Sequence, residues 1–297
     1  MFSSGGVDMN YCLSLSGGGP KGAAHIGVFK ALEENHIKPS SVSGTSAGSF
    51  VCGLIAAGFS AEEMVKEVHF MAKNGLKVID PDIAGLILSL PKMAIKKELS
   101  AKGIISGKQM EKYFRTTLGY ILIKDLDMPV MIPAVDISTG KTIVFTNSIK
   151  NKPDIKNLIW YENAKLYEAI RASCSLPGIF FPKNIGDMTL VDGGLTYNLP
   201  YELNIANGEK KILAVDLGKK YEPPFRPDIG DILYSSFRIM QLSSIKSRNK
   251  NNEVMILHPP LKDDAGLFCF SCMEESMEIG YEYAIKNLDR IKLFLNT

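Results

Sequence analysis

The stretch Gly44-Thr45-Ser46-Ala47-Gly48 limits the fold of this chain more than any other. It fits the pattern G-x-S-x-G, follows the short β-prone run Ser41–Gly44, and opens an apolar helical segment from Ser46 to Ala57. A serine at a sharp strand-to-helix turn presents its hydroxyl outward, and glycines on both sides leave room for the turn. The context predicts a nucleophile elbow at Ser46, although the pattern alone also fits an ordinary glycine-bounded helix start.

A glycine-rich turn, Ser16-Gly17-Gly18-Gly19-Pro20-Lys21-Gly22, lies upstream between the strand-like run Tyr11–Leu15 and a helical segment that begins at Ala23. Bare glycines at such a junction expose N–H groups near a positive helix end, which favours an anion. The glycines also satisfy G-x-G-x-x-G, but the second strand ends at Gly44 without the carboxylate that a dinucleotide site requires. A P-loop is excluded because Lys21 precedes its glycine. An oxyanion hole for Ser46 and a structural tight turn remain.

The third motif is Asp192-Gly193-Gly194, directly after the short strand-like run Leu190-Val191. Asp-Gly-Gly is also a common turn signal. A serine nucleophile needs a base, however, and a carboxylate can serve where burial and nearby dipoles raise its proton affinity. Asp192 is therefore the candidate base.

In this order, the three motifs resemble those of the patatin-like phospholipase family, over roughly Tyr11 to Gly218. A fourth block, from Ala172 to Pro182, is similar to the family's segment between nucleophile and base. The chain departs from the family at Ser16, where many members carry Asp or Gly, and at Lys21, where Arg is frequent. Neither change removes a backbone donor.

The resemblance implies an α/β fold, with a mainly parallel central sheet between helices in a three-layer sandwich. It also implies a lipid acyl hydrolase that acts on a phospholipid, a lysophospholipid or another acyl ester through a Ser46–Asp192 dyad without histidine. N–H groups from Gly17, Gly18 and Gly19 would bind the oxyanion, and no cofactor or metal is expected. The residues expected to support the motifs are Lys21, Gly22, Gly44, Gly48, Gly193 and Gly194.

Three alternatives stay open. An ordinary α/β-hydrolase with a Ser-Asp-His triad would use His258, but a nucleophile after a single βα unit comes too early for that fold. A catalytically idle lipid-binding or regulatory protein could share the patatin-like fold. A nucleotide-dependent oxidoreductase is the weakest of the three alternatives. The other histidines, His25, His36 and His69, are expected to be structural or solvated, and the four are too scattered for a metal site.

Strand-like and helical runs alternate along the chain, which predicts a mainly parallel sheet between helices. Residues 9–218 are expected to form the catalytic domain, and residues 219–297 an α/β extension packed on it. Tyr221–Pro227 is the expected joint. The predicted strands are Tyr11–Leu15, Ser41–Gly44, Pro129–Asp136, Lys141–Phe145, Thr189–Val191, Lys211–Leu217 and Glu253–Leu257, and the predicted helices are Ala23–Asn35, Ser46–Ala57, Ala61–Lys73, Ala164–Ser173, Ile229–Arg248 and Met273–Leu295.

Composition favours a cytoplasmic enzyme. The net charge of +2 gives no nucleic-acid signature, and five cysteines, an odd number, suggest reduced thiols. The first eight residues lack the features of a signal peptide, and Met9 would also make a sensible start. No apolar run of about 18 residues exists. Cys269 and Cys272 form a lone C-x-x-C, a weak signal for zinc or redox chemistry.

The segment Ile83–Lys97 is apolar, with Lys92, Lys96 and Lys97 gathered at its end. It is too short to cross a membrane, but an apolar strip with basic flanks is typical of peripheral contact with a lipid interface. The alternative is a helix that packs on the sheet or lines the acyl pocket.

Overall fold

The computed structural model describes residues 10–79, 103, 105–149, 153–218, 232, 235–237, 239–240, 253–261 and 268–297. The predicted membrane segment Ile83–Lys97 lies outside the described residues, and so does most of the predicted helix Ile229–Arg248.

Within the described residues, one mixed sheet of nine strands forms the centre of the fold. Its main order is β5-β4-β3-β2-β1-β8-β9, with β7 beside β3 and β6 beside β7. The run β3-β2-β1-β8-β9 is parallel throughout, and β4 and β7 both pair antiparallel with β3. The strands are β1 Cys12–Leu15, β2 Ser41–Gly44, β3 Val130–Asp136, β4 Lys141–Thr146, β5 Leu158–Tyr161, β6 Lys183–Ile185, β7 Met188–Asp192, β8 Ile212–Val215 and β9 Val254–Leu257.

Eight α-helices are described around this sheet. They form where apolar residues recur at helical spacing; Met110, Phe114 and Leu118, four residues apart, are the buried positions of α4. The helices are α1 Ala23–Glu34, α2 Ala47–Ala56, α3 Ala61–Ile79, α4 Lys108–Leu118, α5 Leu166–Ser173, α6 Tyr201–Ala206, α7 Met273–Lys286 and α8 Leu288–Asn296.

Successive side chains of a strand point to opposite faces of the sheet, and apolar side chains are buried on both faces here. Leu13 and Leu15 of β1 join the main core, which also holds side chains from α1 to α5. Cys12, the first residue of β1, points to the opposite face and packs with Tyr201 of α6. The result is the predicted three-layer arrangement of helices on both sides of a mostly parallel sheet.

The carboxyl-terminal residues pack on the same sheet and helices as the rest. Strand β9 extends the sheet beside β8, and α7 lies against α1. The two helices approach backbone to backbone, because a Cβ on Gly27 would sit 1.9 Å from the Met277 carbonyl oxygen and one on Gly280 would sit 2.2 Å from that of Ala24. A division of the chain at residue 219 stays a prediction.

The edge of β3 brings two distant parts of the chain together. Strand β2 runs parallel to the first residues of β3, with Ser43 opposite Met131. Strand β7 runs antiparallel to the last residues of β3 and ends with Asp192 opposite Ala134. The carboxyl ends of β2 and β7 therefore face each other along one edge, with Ser43 and Asp192 about 10 Å apart at a strand rise of about 3.3 Å per residue.

The elements differ from the sequence prediction in a few places. Strands β5 and β6 and helices α4 and α6 were not predicted, and α3 runs on to Ile79, beyond the predicted end at Lys73. The predicted helix Met273–Leu295 is two helices with a break at Asn287, whose side-chain amide donates to the Tyr283 carbonyl oxygen at 2.8 Å. The Asn287 backbone N–H donates to the same carbonyl oxygen at 3.2 Å, so main chain and side chain of Asn287 together cap the end of α7.

Candidate active site

Ser46 stands between β2 and α2 in a strained backbone conformation, with φ 52° and ψ −122°. Such a conformation in a residue other than glycine costs about 1–3 kcal/mol and persists only where the surroundings hold it. Here the Ser46 N–H donates to Ser173 Oγ at 3.0 Å, and Ser49 Oγ donates to the Ser46 carbonyl oxygen at 2.6 Å. Thr45 is fixed by its own hydroxyl, which donates to the Tyr197 carbonyl oxygen at 2.6 Å. This is the geometry of a nucleophile elbow.

The glycines around Ser46 are required by close backbone contacts. A Cβ on Gly44 would lie 2.3 Å from the Gly48 carbonyl oxygen, and one on Gly48 would lie 2.5 Å from that of Leu15. A Cβ on Gly22 would meet the Cβ of Ala47 at 2.5 Å. The starts of α1 and α2 therefore touch, and the glycine-rich turn lies directly beside the elbow.

Asp192 is buried, with 3% of its surface exposed, at the end of β7. Burial raises its pKa from 3.8 to about 7, against the opposing effect of hydrogen bonds from the Gly194 N–H and the Ser46 side chain. The Gly194 N–H donates to Oδ1 at 2.7 Å, and the Asp192 N–H donates to the Ser175 carbonyl oxygen at 3.0 Å. The structure thus brings the predicted nucleophile and the predicted base together.

The turn after Asp192 also needs its glycine. A Cβ on Gly193 would sit 2.2 Å from the Pro133 carbonyl oxygen of β3. Gly193 and Gly194 start a single 3₁₀ turn, Gly193–Leu195, which the Asp192 side chain caps. The cap fixes the rotation of the carboxylate, so one of its oxygens is committed to the backbone and the other is left for the site.

The three glycines predicted as oxyanion donors are not equivalent. The Gly17 N–H already donates to the Asn198 carbonyl oxygen at 3.1 Å. Among the described residues, no hydrogen bond takes up the N–H groups of Gly18 or Gly19, and both glycines line the pocket in front of Ser46. The available donors are therefore those of Gly18 and Gly19. Lys21, in the same turn, acts electrostatically on the Cys272 thiol, near the start of α7.

A large pocket opens in front of Ser46 and Asp192, with about 1200 Å³ of open space including its mouth. Its walls are mostly apolar, so an acyl chain would lie mainly against hydrocarbon. Glu67 and Tyr113 are a polar pair in this lining, joined by a hydrogen bond from the Tyr113 hydroxyl to the Glu67 carboxylate. The apolar lining includes Ile26, Phe50, Val68, Met71, Phe114 and Leu176.

Cys174 also lines the pocket, and burial raises its pKa to about 12. The thiolate is the nucleophilic form of cysteine. Cys174 is therefore a protonated thiol at neutral pH and does not compete with Ser46.

The histidines take positions outside the Ser46–Asp192 pair. His258 follows β9. In the sheet, β9 is the third strand from β2, so the two strands lie about 14 Å apart at ordinary strand spacing. The Nδ1 atom of His258 lies 3.6 Å from Oδ2 of Asp216. His25 is fully buried, and His69 contacts Glu274 on the surface with Nδ1 2.6 Å from Oε1. The arrangement gives no support to a Ser-Asp-His triad.

Sequence reasoning missed a buried polar support behind the site. Arg171 is 2% exposed; its Nη1 donates to Ser175 Oγ at 2.6 Å and its Nε to the Gly107 carbonyl oxygen at 3.1 Å. Ser175 in turn receives the N–H of Asp192. Ser173 and Ser175 lie in the block Ala172 to Pro182, so their presence in that motif was the available signal.

An elbow serine, a buried carboxylate and two glycine N–H groups that no described residue takes up thus meet at one mostly apolar pocket of an α/β fold. The family model described as patatin-like phospholipase matches residues 13–205. This chain belongs to the patatin-like phospholipase family, as its motifs predicted. None of the described helices combines the length and the hydropathy that a membrane span needs.

Curated relatives agree with this assignment. An uncharacterised NTE family protein of Mycobacterium bovis, Mb1092c, is 29% identical over 188 residues, which are 63% of this chain and 43% of the relative. Lysophospholipase NTE1 of Yarrowia lipolytica is 25% identical over 305 positions, which cover 94% of this chain and 19% of that protein. The chain thus spans less than half the length of these relatives.

The fold is similar to that of human GIVD cytosolic phospholipase A2, solved in complex with a methyl gamma-linolenyl fluorophosphonate inhibitor and terbium chloride. The TM-score is 0.53 at 11% identity, and the match covers 97% of this chain and 59% of the human one. The predicted fold class is confirmed.

Proposed function

We propose that this chain is a serine lipid acyl hydrolase that cleaves a phospholipid, a lysophospholipid or another acyl ester. The observation that carries the proposal is the meeting of Ser46, Asp192 and the free N–H groups of Gly18 and Gly19 at one apolar pocket. The relatives named lysophospholipases favour a lysophospholipid among these substrates.

In the first half-reaction the acyl chain lies in the pocket and the ester carbonyl oxygen faces Gly18 and Gly19. Asp192 takes the proton of the Ser46 hydroxyl as Oγ bonds to the carbonyl carbon, and the two N–H groups stabilise the oxyanion. The C–O bond of the ester then breaks, and Asp192 returns the proton to the leaving alcohol. An acyl-enzyme on Ser46 remains.

In the second half-reaction a water molecule takes the place of the alcohol. Asp192 removes its proton, the hydroxide attacks the acyl carbon, and the proton passes to Ser46 Oγ as the fatty acid leaves. A pKa of about 7 suits both steps, because a base works best when its pKa lies near the working pH. An exposed carboxylate with a pKa near 4 would be a much weaker base.

Lipid substrates aggregate, so the enzyme has to reach an interface. Helix α3 lines the pocket with Val68 and Met71 and exposes Phe70 and Leu76, which are 46% and 52% accessible. Lys73 and Lys77 are exposed on the same helix. These residues support a peripheral contact with lipid through α3, the helix that precedes Ile83–Lys97 in the sequence.

The experiment is active-site labelling with a long-chain fluorophosphonate, followed by lipidomic digestion. The native protein is expected to be labelled once and to release fatty acid, whereas Ser46→Ala is expected to be folded, unlabelled and inactive. A folded native protein that resists the probe and leaves all lipids intact would favour the catalytically idle alternative.

A further inference from the structure

The orientation of the glycine-rich turn depends on two consecutive peptide units. The first joins Ser16 to Gly17 and is held from both sides. Its carbonyl oxygen, that of Ser16, accepts from His25 Nε2 at 2.8 Å, and its N–H, that of Gly17, donates to the Asn198 carbonyl oxygen at 3.1 Å. This unit cannot rotate without breaking both bonds.

The second peptide unit joins Gly17 to Gly18, and the Ser16 hydroxyl holds its carbonyl side. Ser16 Oγ donates to the Gly17 carbonyl oxygen at 3.1 Å and accepts from the Leu217 N–H at 2.9 Å. The second bond anchors the hydroxyl to the segment that follows β8. The Ser16 side chain thus ties the glycine turn to the sheet.

The hydroxyl also determines the direction of the Gly18 N–H. In a planar trans peptide the C=O and N–H groups point in opposite directions. Holding the Gly17 carbonyl toward Ser16 therefore turns the Gly18 N–H to the other side, and Gly18 lines the pocket that contains Ser46. Glycines on both sides of this unit offer little steric resistance to its rotation, so the hydrogen bond has to fix it.

Because they are buried, the hydrogen bonds of the Ser16 hydroxyl and the His25 ring hold the glycine-rich turn in one orientation. Ser16 and His25 are fully buried, so water does not replace their bonds. Since the Ser16 carbonyl can only accept, His25 carries its proton on Nε2. Burial lowers the pKa of His25 to about 4, and the ring is neutral at physiological pH.

We propose that Ser16 is a positioning residue for the hydrolytic reaction, which orients the Gly17–Gly18 peptide so that the Gly18 N–H donates to the oxyanion. The inference rests on the proposed function. Ser16 touches no substrate; it acts through the peptide that it holds. Its loss should therefore weaken binding of the transition state and leave binding of the ground state nearly unchanged.

The test compares Ser16→Ala with Ser14→Ala, a matched control. Ser14 is also a fully buried serine of the same chain segment, but its hydroxyl pairs with Ser43 and not with the glycine turn. Turnover of a soluble short-chain ester is expressed per site titrated to completion with fluorophosphonate, so that unfolded protein does not enter the rate. Ser16→Ala is expected to lower kcat about 10- to 100-fold at nearly constant KM, since loss of a whole oxyanion donor costs about 100- to 1000-fold. Ser14→Ala is expected to keep the native kcat.

A second readout separates orientation from general damage. A long-chain trifluoromethyl ketone adds to Ser46 and forms an oxyanion, whereas the matching methyl ketone only fills the pocket. Ser16→Ala should weaken binding of the trifluoromethyl ketone by the same factor as kcat and leave binding of the methyl ketone unchanged. Equal losses for both ketones, or a native kcat, would overturn the inference.

Ser16→Cys keeps the proposal testable if Ser16→Ala fails to fold. A thiol is a weaker donor of similar size, so this variant should fall between the native protein and the alanine variant in kcat. A native kcat in a folded Ser16→Cys would count against the positioning role. Ser46→Ala, run in parallel, separates the proposed hydrolase function from the role of Ser16. If Ser46→Ala still hydrolyses the ester, the proposed function fails. If Ser46→Ala is inactive but Ser16→Ala is fully active, only the role of Ser16 is refuted.

Discussion

Replacing Asp192 by Asn should abolish hydrolysis and at the same time stabilise the protein at alkaline pH. The carboxyl is buried, and its pKa is raised from 3.8 to about 7 by burial. Asn is neutral, has nearly the same shape, and keeps an oxygen to accept the Gly194 N–H that Oδ1 now receives at 2.7 Å. The variant therefore keeps the cap and loses only the buried charge and the base.

The direction of this change in stability follows from proton binding by Asp192. Between pH of about 4 and 7 the folded state holds the Asp192 proton and the unfolded state has lost it, so the free energy of unfolding falls as the pH rises through that window. A shift of about three pH units corresponds to roughly 4 kcal/mol of destabilisation above pH 7. At pH 5 the same reasoning gives a destabilisation of roughly 1–2 kcal/mol. Asp192→Asn should thus be more stable than the native protein by these amounts.

The assay is urea unfolding at pH 5 and pH 8, followed by the fluorescence of Trp160, the single tryptophan. In parallel, kcat/KM of the native enzyme should rise about tenfold per pH unit below pH 7 and level off above it, because only the ionised carboxylate is a base. Equal stabilities of the two proteins at pH 8, or a difference that is the same at both pH values, would refute a raised pKa at Asp192. Retained activity in the variant would refute its role as base.

Other predictions concern residues around the site. His258→Ala should keep most activity, because the imidazole pairs with Asp216; a loss in kcat/KM as large as that of Asp192→Asn would revive the triad. Gly48→Ala should lower the free energy of unfolding by about 1–3 kcal/mol in urea titrations and reduce turnover, because its Cβ would sit 2.5 Å from the Leu15 carbonyl oxygen; unchanged values would contradict the tight elbow. Changing Lys92, Lys96 and Lys97 together to Glu should weaken vesicle binding and vesicular hydrolysis but spare a soluble ester, at about 1 kcal/mol per basic side chain near an anionic surface. Equal loss of both activities would show that the segment is structural. Chelation of calcium should leave ester hydrolysis unchanged, since Ser46, Asp192 and the glycine N–H groups supply the proposed chemistry, and strict calcium dependence would count against it.

The sequence was most informative where function depends on backbone sterics. Gly44 and Gly48 are predicted to relieve crowding at the elbow, and a Cβ at either position would lie within 2.5 Å of a backbone carbonyl oxygen. The strand before Ser46 and the helix after it also form within a residue of their predicted bounds. Such features depend on a few neighbouring residues, and these can be read from a short stretch of chain.

The sequence was less informative where one element depends on a distant partner. It did not predict the short strands β5 and β6, which have few residues of their own to mark them. It treated the three loop glycines as equal donors, whereas a bond from Gly17 to Asn198 leaves Gly18 and Gly19 available. Asn198 lies far along the chain, and nothing near Gly17 indicates it.

By itself, the sequence determined the class of the protein: a serine elbow, a glycine-rich anion turn and an Asp-Gly-Gly turn, in order, on alternating strands and helices. Only the tertiary structure decided that Asp192 meets Ser46, because β2 and β7 share one edge of β3 and end facing each other. It also decided the basicity of Asp192, since a pKa of about 7 arises from burial by residues that are remote in sequence. Turn geometry is a short-range property of the backbone, whereas strand register and desolvation depend on which distant segments pack together.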